Sequence, residues 1–176
     1  MSDLSIRPAT LADIPAITRI YAHAVQHGTA SFELEPPDEA EMTRRQQALL
    51  DGGFPYLVAT GTGENIVLGY AYAGPYRARP AYRFSVENSV YVAADAHRRG
   101  VGRALMDRLI AESVTRGYRL MIAVIGDSAQ TASIELHRAA GFRLVGAFEG
   151  VGYKFDRWLD TVLMQRALGK GTSAPP

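Results

Sequence analysis

The sequence predicts a mixed α/β (α+β) domain, one layer of sheet flanked by helices. Three observations carry this. Seven short runs, from "LSIRPA" to "DTVLMQRAL", have the length and apolar content of strands. Between them lie stretches with apolar residues at helical spacing. A glycine-rich turn, "RRGVGR", stands between a strand pattern and a helix pattern, which points to a strand–helix–strand unit in one α/β layer.

The elements follow in order. "LSIRPA" is a first strand. Thr10 and Asp13 form a capping box ahead of Ile14, Ile17, Tyr21, Ala24 and Val25, which mark a first helix. "EPPDEAEMTRRQQALLDGG" predicts a second helix, with Pro37 near its start and Gly52-Gly53 at its end. "YLVAT" and "IVLGYAYAG" flank "GTGEN", a hairpin signal. "YRFSVENSVYVA" predicts a longer strand. Leu105, Met106, Leu109, Ile110 and Val114 make the stripe of a helix stopped by Gly117. The continuous apolar run "LMIAVI" suits a strand buried on both faces in a parallel pairing. "TASIELHRAAGF" is a short helix ended by Gly141, and "FRLVGAF" and "DTVLMQRAL" close the sheet. Residues 1–168 form one domain, and "GKGTSAPP" over 169–176 is expected to be a flexible tail. Trp158 is expected in the core.

Bulk properties narrow the function classes. A chain of 176 residues suits one domain. A formal net charge of +1 gives no global field for nucleic acid or an anionic membrane. The absence of cysteine excludes disulfides, thiolate metal sites and a cysteine nucleophile, and no metal is expected. "MSDLSIRPAT" has no apolar core of a secretory signal, and no apolar run reaches membrane-spanning length, so the cytoplasm is the expected setting.

The turn Arg98-Arg99-Gly100-Val101-Gly102-Arg103 has the chemistry of an anion site. It offers exposed backbone N–H groups at a helix N-terminus, two glycines and three arginines. No G-x-x-x-x-G-K-[ST] P-loop occurs. The dinucleotide pattern G-x-G-x-x-G fails at Leu105. A solvated turn before a helix is the bland alternative.

In context the stretch resembles the pyrophosphate loop of the GNAT superfamily of N-acetyltransferases, whose signature runs Gln/Arg-x-x-Gly-x-Gly/Ala between a strand and a helix. His97 stands where that signature has Gln or Arg. Five further blocks, "ASFE", "PYRARPAYR", "VENSVYV", "LHRAAGF" and "YKFDRWLD", are similar to the phosphinothricin and methionine sulfoximine N-acetyltransferases over nearly the whole chain. Two departures are Gln130 for a usual Asn and Asp156 for a common Gly. The resemblance implies a mostly antiparallel sheet with a central parallel pair. It also implies acetyl-CoA as donor, the α-amino group of a small amino acid as acceptor, and a homodimer.

The resemblance assigns roles residue by residue. The backbone from Arg98 to Arg103 wraps a pyrophosphate, with Gly100 and Gly102 allowing approach without a Cβ in the way. Backbone groups of Val90, Tyr91 and Val92 pair with the pantetheine arm and polarise the thioester carbonyl, and Gln130 and Ser133 touch the cofactor. Glu87 shares a strand face with Ser89 and Tyr91, opposite Val86, Asn88, Val90 and Val92. It is the candidate general base, against the alternative of a solvated carboxylate. His137 occupies the place of a thiolate-protonating Tyr and is the candidate acid or relay, against that of a packed helix histidine. Tyr91 and Tyr153 are spare acids. Arg77, Arg79 and Arg83, with Tyr82, form a loop that suits an acidic acceptor end through guanidinium forks, or is simply a solvated basic loop. Phe32 and Glu33 close the acceptor pocket, and Lys154 adds a charge, across a dimer interface in one reading.

Three function classes stay open: an amino-acid N-acetyltransferase, an enzyme acetylating protein N-termini or polyamines, and a non-catalytic acyl-CoA-binding module. The joint presence of the glycine loop and the arginine loop favours the first.

Overall fold

The computed structural model describes residues 4–61 and 66–176. Most of the "GTGEN" hairpin signal, over 62–65, lies outside the described residues. The elements are β1 (Leu4–Pro8), α1 (Ile14–His27), α2 (Glu39–Asp51), β2 (Tyr56–Gly61), β3 (Val67–Pro75), β4 (Ser85–Val92), α3 (Val101–Thr115), β5 (Leu120–Gly126), α4 (Thr131–Ala139), β6 (Arg143–Lys154) and β7 (Arg157–Ala167). Short 3-10 turns precede α1 and flank β4. No helix among the described residues is long and apolar enough to cross a membrane.

All seven strands form one sheet in the order β1-β2-β3-β4-β5-β7-β6. Every pairing is antiparallel except β4 with β5, which is parallel. This is the mostly antiparallel sheet with a central parallel pair that the resemblance implies. Helices cover both faces. On one, α1 and α2 bury Ile14, Ile17, Tyr21, Val25 and Met42 against Tyr56, Val58 and Tyr70. On the other, α3 buries Val101, Leu105, Met106 and Leu109 against β3, β4 and β5. Gly69 makes the second packing possible, since a Cβ there would meet the Tyr91 carbonyl oxygen at 2.8 Å and Val101 at 3.0 Å.

Local signals explain the element starts. The Thr10 N–H donates to the Asp13 carboxylate at 2.7 Å, one of the two bonds of a capping box, and the Thr10 hydroxyl adds a bond to the same carboxylate at 3.0 Å. Asp38 caps α2 by accepting from the Glu41 N–H at 2.8 Å, so the helix starts after Pro37 rather than at Glu35.

Several expectations change in the fold. Residues 82–84 form a turn, and β4 begins at Ser85. The α3 stripe rotates at its end, so Ser113 is fully buried and Val114 is exposed. β6 and β7 extend well past their apolar runs, to a tight turn at Phe155-Asp156. Trp158 is not core: it sits on the open face of this hairpin, 68% exposed. β5 is not buried on both faces; Val124 is 41% exposed, because β4 leaves it after three residue pairs. In the tail, the carbonyls of Gly171 and Pro175 accept from Arg119.

The hairpin turn accounts for one departure from the family pattern. Phe155 and Asp156 have φ of 52° and 55°, the left-handed pair of a two-residue type I′ turn between Lys154 and Arg157. Glycine holds that conformation without steric cost, and Asp tolerates it better than most residues do. Asp156→Gly is therefore expected to stabilise the fold by up to about 1 kcal/mol. In a thermal melt that is a rise in Tm of roughly 2–4 °C for a domain of this size. An unchanged or lower Tm would show that the Asp carboxylate offsets the strain.

Candidate active site

The site begins where β4 and β5 part. Ser85, Val86 and Glu87 pair with Leu120, Met121 and Ile122, and the ladder ends there. β5 stays on β7 as far as Gly126, while β4 stays on β3 as far as Val92. The Ala93 N–H donates to the Leu68 carbonyl at 2.9 Å, and backbone directions alternate along the strand. The backbone groups of Ser89 and Tyr91 therefore face β3, whereas those of Asn88, Val90 and Val92 face the gap. Of the three residues expected to present backbone to a pantetheine arm, Val90 and Val92 turn theirs to the gap, and Tyr91 spends its groups on Tyr70. The Val92 carbonyl already accepts from His97 Nε2 at 3.1 Å, which gives the departure at His97 a local role.

The gap is a cleft of about 430 Å³, lined on one side by Asn88, Ser89, Val90 and Tyr91 and on the other by Ala123 to Gly126. Gln130, Ser133 and His137 of α4 and Ala30 of the α1–α2 loop complete it. That loop is held firmly. Gln130 Nε2 donates to Thr29 Oγ1 at 2.9 Å. Lys154 Nζ donates to the carbonyls of Gly28 and Ser31 at 3.0 and 2.8 Å. Phe32 packs where a Cβ on Gly126 or Gly152 would meet its ring at 2.7 or 2.4 Å. Lys154 is thus a buried tie within the chain, and its ammonium is spoken for by the loop; burial lowers its pKa, and Glu33 opposes that.

At one end of the cleft the chain enters α3. Arg98 and Gly100 both have left-handed backbones, with φ of 61° and 82°. The Ala104 N–H closes on the Gly100 carbonyl at 3.0 Å, leaving the N–H groups of Val101, Gly102 and Arg103 without intrahelical partners. The first turn carries no acid. A Cβ on Gly100 would meet open space, so its need for glycine is conformational. Gly102 differs from expectation. Its Cβ would point at Leu136 and Val92, at 3.4 and 3.5 Å, an ordinary packing contact that a side chain as small as Ala can make. Arg103 spends its guanidinium on Asp107 and the Ala139 carbonyl, while Arg98 and Arg99 lie exposed beside the turn.

Strand alternation divides the ionisable groups. Glu87, the last β4 residue paired to β5, lies on the α1/α2 face with Ser89 and Tyr91, across from Gly74 on β3. Burial pushes its carboxyl above the usual range, and the nearby Arg77 guanidinium opposes that in part. Asn88 lies on the other face, where its Nδ2 meets His137 Nε2 at 2.9 Å. His137 Nδ1 donates to the Ser133 carbonyl at 2.7 Å, and burial lowers the ring's pKa. Glu87 and His137 therefore lie on opposite faces of the sheet, where β4 and β5 part.

The remaining candidates separate. Arg77 stacks on Tyr76 with its guanidinium 5.2 Å from the ring centroid, close enough to Glu87 to act on its charge. Arg83 lies over Phe84 and donates to the Pro80 carbonyl at 3.3 Å. Arg79 and Tyr82 are exposed on the same loop. Glu33 is already committed: its carboxylate accepts from Arg45 at 2.6 Å and from Tyr21 at 2.8 Å. Tyr91 is packed edge-on to Tyr21, and burial drives its hydroxyl well above its ordinary pKa, which works against its use as an acid. Tyr153 lies out on the hairpin against Trp158. Asn88 went unassigned at the sequence level. An Asn in an alternating strand carries no signal of its own, and only the meeting with α4 reveals it.

The chain matches the acetyltransferase (GNAT) domain family over residues 6–163. It is 55% identical over 164 residues to the phosphinothricin N-acetyltransferase of Alcaligenes faecalis, covering 93% of this chain and 82% of that one. It is 42% identical to the L-methionine sulfoximine/L-methionine sulfone acetyltransferase of Pseudomonas paraeruginosa, over 97% of this chain and 98% of that one. The crystal structure of a GNAT superfamily phosphinothricin acetyltransferase from Sinorhizobium meliloti, in complex with AcCoA, superposes with a TM-score of 0.96 at 45% identity, covering 100% of this chain and 94% of that one. An unpaired strand edge beside a helix N-terminus suits the extended amide arm and pyrophosphate of that thioester, and the chain belongs to the GNAT family of acetyltransferases.

Proposed function

We propose that the protein transfers acetyl from acetyl-CoA to the α-amino group of a small amino acid or analogue of the phosphinothricin or methionine sulfoximine type. The observation that carries this is the pairing of two half-sites across one strand: a cofactor-shaped cleft on the His137 side and a raised carboxyl beside a guanidinium on the Glu87 side. The names of the relatives at 55% and 42% identity support the acceptor class.

In this reading the N–H groups of Val101 to Arg103, with Arg98 and Arg99 beside them, hold the pyrophosphate. The gap-facing backbone of Val90 and Val92 pairs with the pantetheine arm, and Gln130 and Ser133 border it. Acetyl-CoA supplies the activated acyl group. Arg77, with Arg79, Tyr82 and Arg83 on its loop, holds the acceptor's acidic end, and Phe32 borders the acceptor space. The reacting amine must be neutral, yet an α-amine with a pKa of about 7.7–8.0 is mostly protonated at pH 7. Glu87 takes that proton directly or through water, and its raised pKa makes it a better base than a solvated carboxylate. The new amide C–N bond forms and the C–S bond breaks; the nitrogen's second proton also leaves through Glu87 to solvent, and His137, charged beforehand at Nε2 from solvent, provides the proton that the leaving sulfur takes.

The same reading includes a cytoplasmic homodimer. Its support is the hairpin β6–β7, whose edge strand leaves Leu144, Val145, Phe148, Val151 and Tyr153 more than half exposed, with Trp158 beside them. An apolar edge strand of this kind is an aggregation liability unless another surface covers it.

Three measurements check the proposal. A thiol-release assay with acetyl-CoA should show turnover with methionine sulfoximine, methionine sulfone or phosphinothricin, and Glu87→Gln should lower kcat by about 10²–10⁴ with acetyl-CoA affinity little changed. A variant within a few-fold of wild type at pH 7 would remove Glu87 from the mechanism. By calorimetry, Gly100→Val should weaken acetyl-CoA binding about tenfold or more, because a left-handed L-residue costs about 1–2 kcal/mol and β-branching adds to it. Gly102→Ala should stay within a few-fold, since its Cβ makes ordinary contact; the reverse ranking would overturn the account of the loop. In sedimentation, Phe148→Glu should convert a dimer to a monomer, and a wild-type monomer would refute the assembly.

A further inference from the structure

Asn88 and His137 form a buried pair whose two members fix each other's chemistry. The Ser133 carbonyl is only an acceptor, so the Nδ1 that meets it at 2.7 Å carries hydrogen. The Asn88 Nδ2 at 2.9 Å is only a donor, so His137 Nε2 offers its lone pair and the ring is neutral. In this arrangement Asn88 Oδ1 has no hydrogen-bond partner, although Asn88 is only 6% exposed. Turning the amide end for end places Oδ1 against Nε2. That contact is favourable only if Nε2 also carries hydrogen, which makes the ring an imidazolium. Each amide orientation therefore matches one protonation state of the ring, and each keeps one hydrogen bond on Nε2.

We infer that Asn88 is a positioning residue that lets His137 gain and lose a proton at Nε2 without leaving its place. Only the assignment of His137 as proton donor to the leaving sulfur rests on the acetyltransferase reading; the coupling of amide and ring does not. The surroundings leave this task to Asn88. The ring packs edge-on against Phe142 at 5.0 Å. Glu135 and Arg138, its neighbours on α4, pair with each other at the surface. Arg103 of α3 is held by Asp107 and Ala139, and Arg166 of β7 donates to the Ala140 carbonyl. Among the described residues no carboxylate bonds to the ring. Burial favours its neutral form, with the Ser133 contact opposing. An acceptor that can turn towards Nε2–H offsets that bias when the proton arrives.

The test is side-chain NMR of the full-length protein. Long-range ¹H–¹⁵N correlations of His137 are assigned by their loss in His137→Gln. Wild type should show the Nδ1–H tautomer at pH 7.5, and the Asn88 side-chain amide shifts should follow the His137 titration midpoint. Asn88→Asp, a fixed acceptor, should raise that midpoint by a unit or more. Asn88→Leu, which bonds neither state, should lower it and reduce kcat about ten- to a hundred-fold, with the KM for acetyl-CoA within about two-fold. An Nε2–H tautomer in wild type, Asn88 amide shifts that ignore the midpoint, or one midpoint in all three proteins would overturn the inference. The wild-type measurements decide even if a variant does not fold. A protein that acetylates no amine would sink the proposed function while leaving the tautomer result to stand.

Discussion

The rest of the site depends on the parting of β4 from β5. A strand in the middle of a sheet normally spends its backbone groups on two neighbours, and leaving them unpaired is costly. Here the parallel ladder ends after three residue pairs, and the gap-facing groups of Asn88, Val90 and Val92 are given up. The parting is held open from the far side. β5 is committed to β7, and at its end the Asp127 N–H bonds the Asp160 carbonyl at 2.7 Å with φ of 72°. The Asp127 carboxylate accepts from the Ala129 N–H and from Arg157. These bonds set where α4 begins, and so where Gln130, Ser133 and His137 stand.

A single strand then separates two kinds of chemistry. Because adjacent side chains point to opposite faces, Glu87 and Asn88 are neighbours in sequence and face different helices. One side holds the Glu87 carboxyl, its pKa raised by burial, and the basic 77–83 loop. The other side holds a histidine in an apolar, uncharged setting. A carboxylate and a charged imidazole at hydrogen-bond distance would pair with each other; the strand keeps Glu87 and His137 on opposite faces.

The loop between α1 and α2 shows how distant sequence is used to wall the cleft. Residues 28–32 are fastened by Lys154 from β6, Gln130 from α4 and the Phe32 ring seated between Gly126 and Gly152. Gln130, a departure from the family pattern, is the residue that joins α4 to this loop. Lys154, a cation expected near the acceptor, donates to the carbonyls of Gly28 and Ser31.

The sequence by itself determined the class of fold, the order of nearly all elements and the glycine-rich turn that opens α3. Those follow from period, capping and glycine placement, which are local properties. The resemblance carried the family and the acceptor class, and it placed Glu87 and His137. Only the tertiary structure decided which expected residues do something else. Trp158 lies outside the core because β6 and β7 run on as an open hairpin. The Tyr91 backbone belongs to the β3 ladder because register, not composition, sets which way a peptide group points. A Cβ on Gly102 would lie in ordinary contact with Leu136 and Val92, because the docking of α4 fixes what that position faces. The Asn88–His137 pair joins residues 49 positions apart, and no local pattern announces a hydrogen bond that exists only once α4 docks on the sheet.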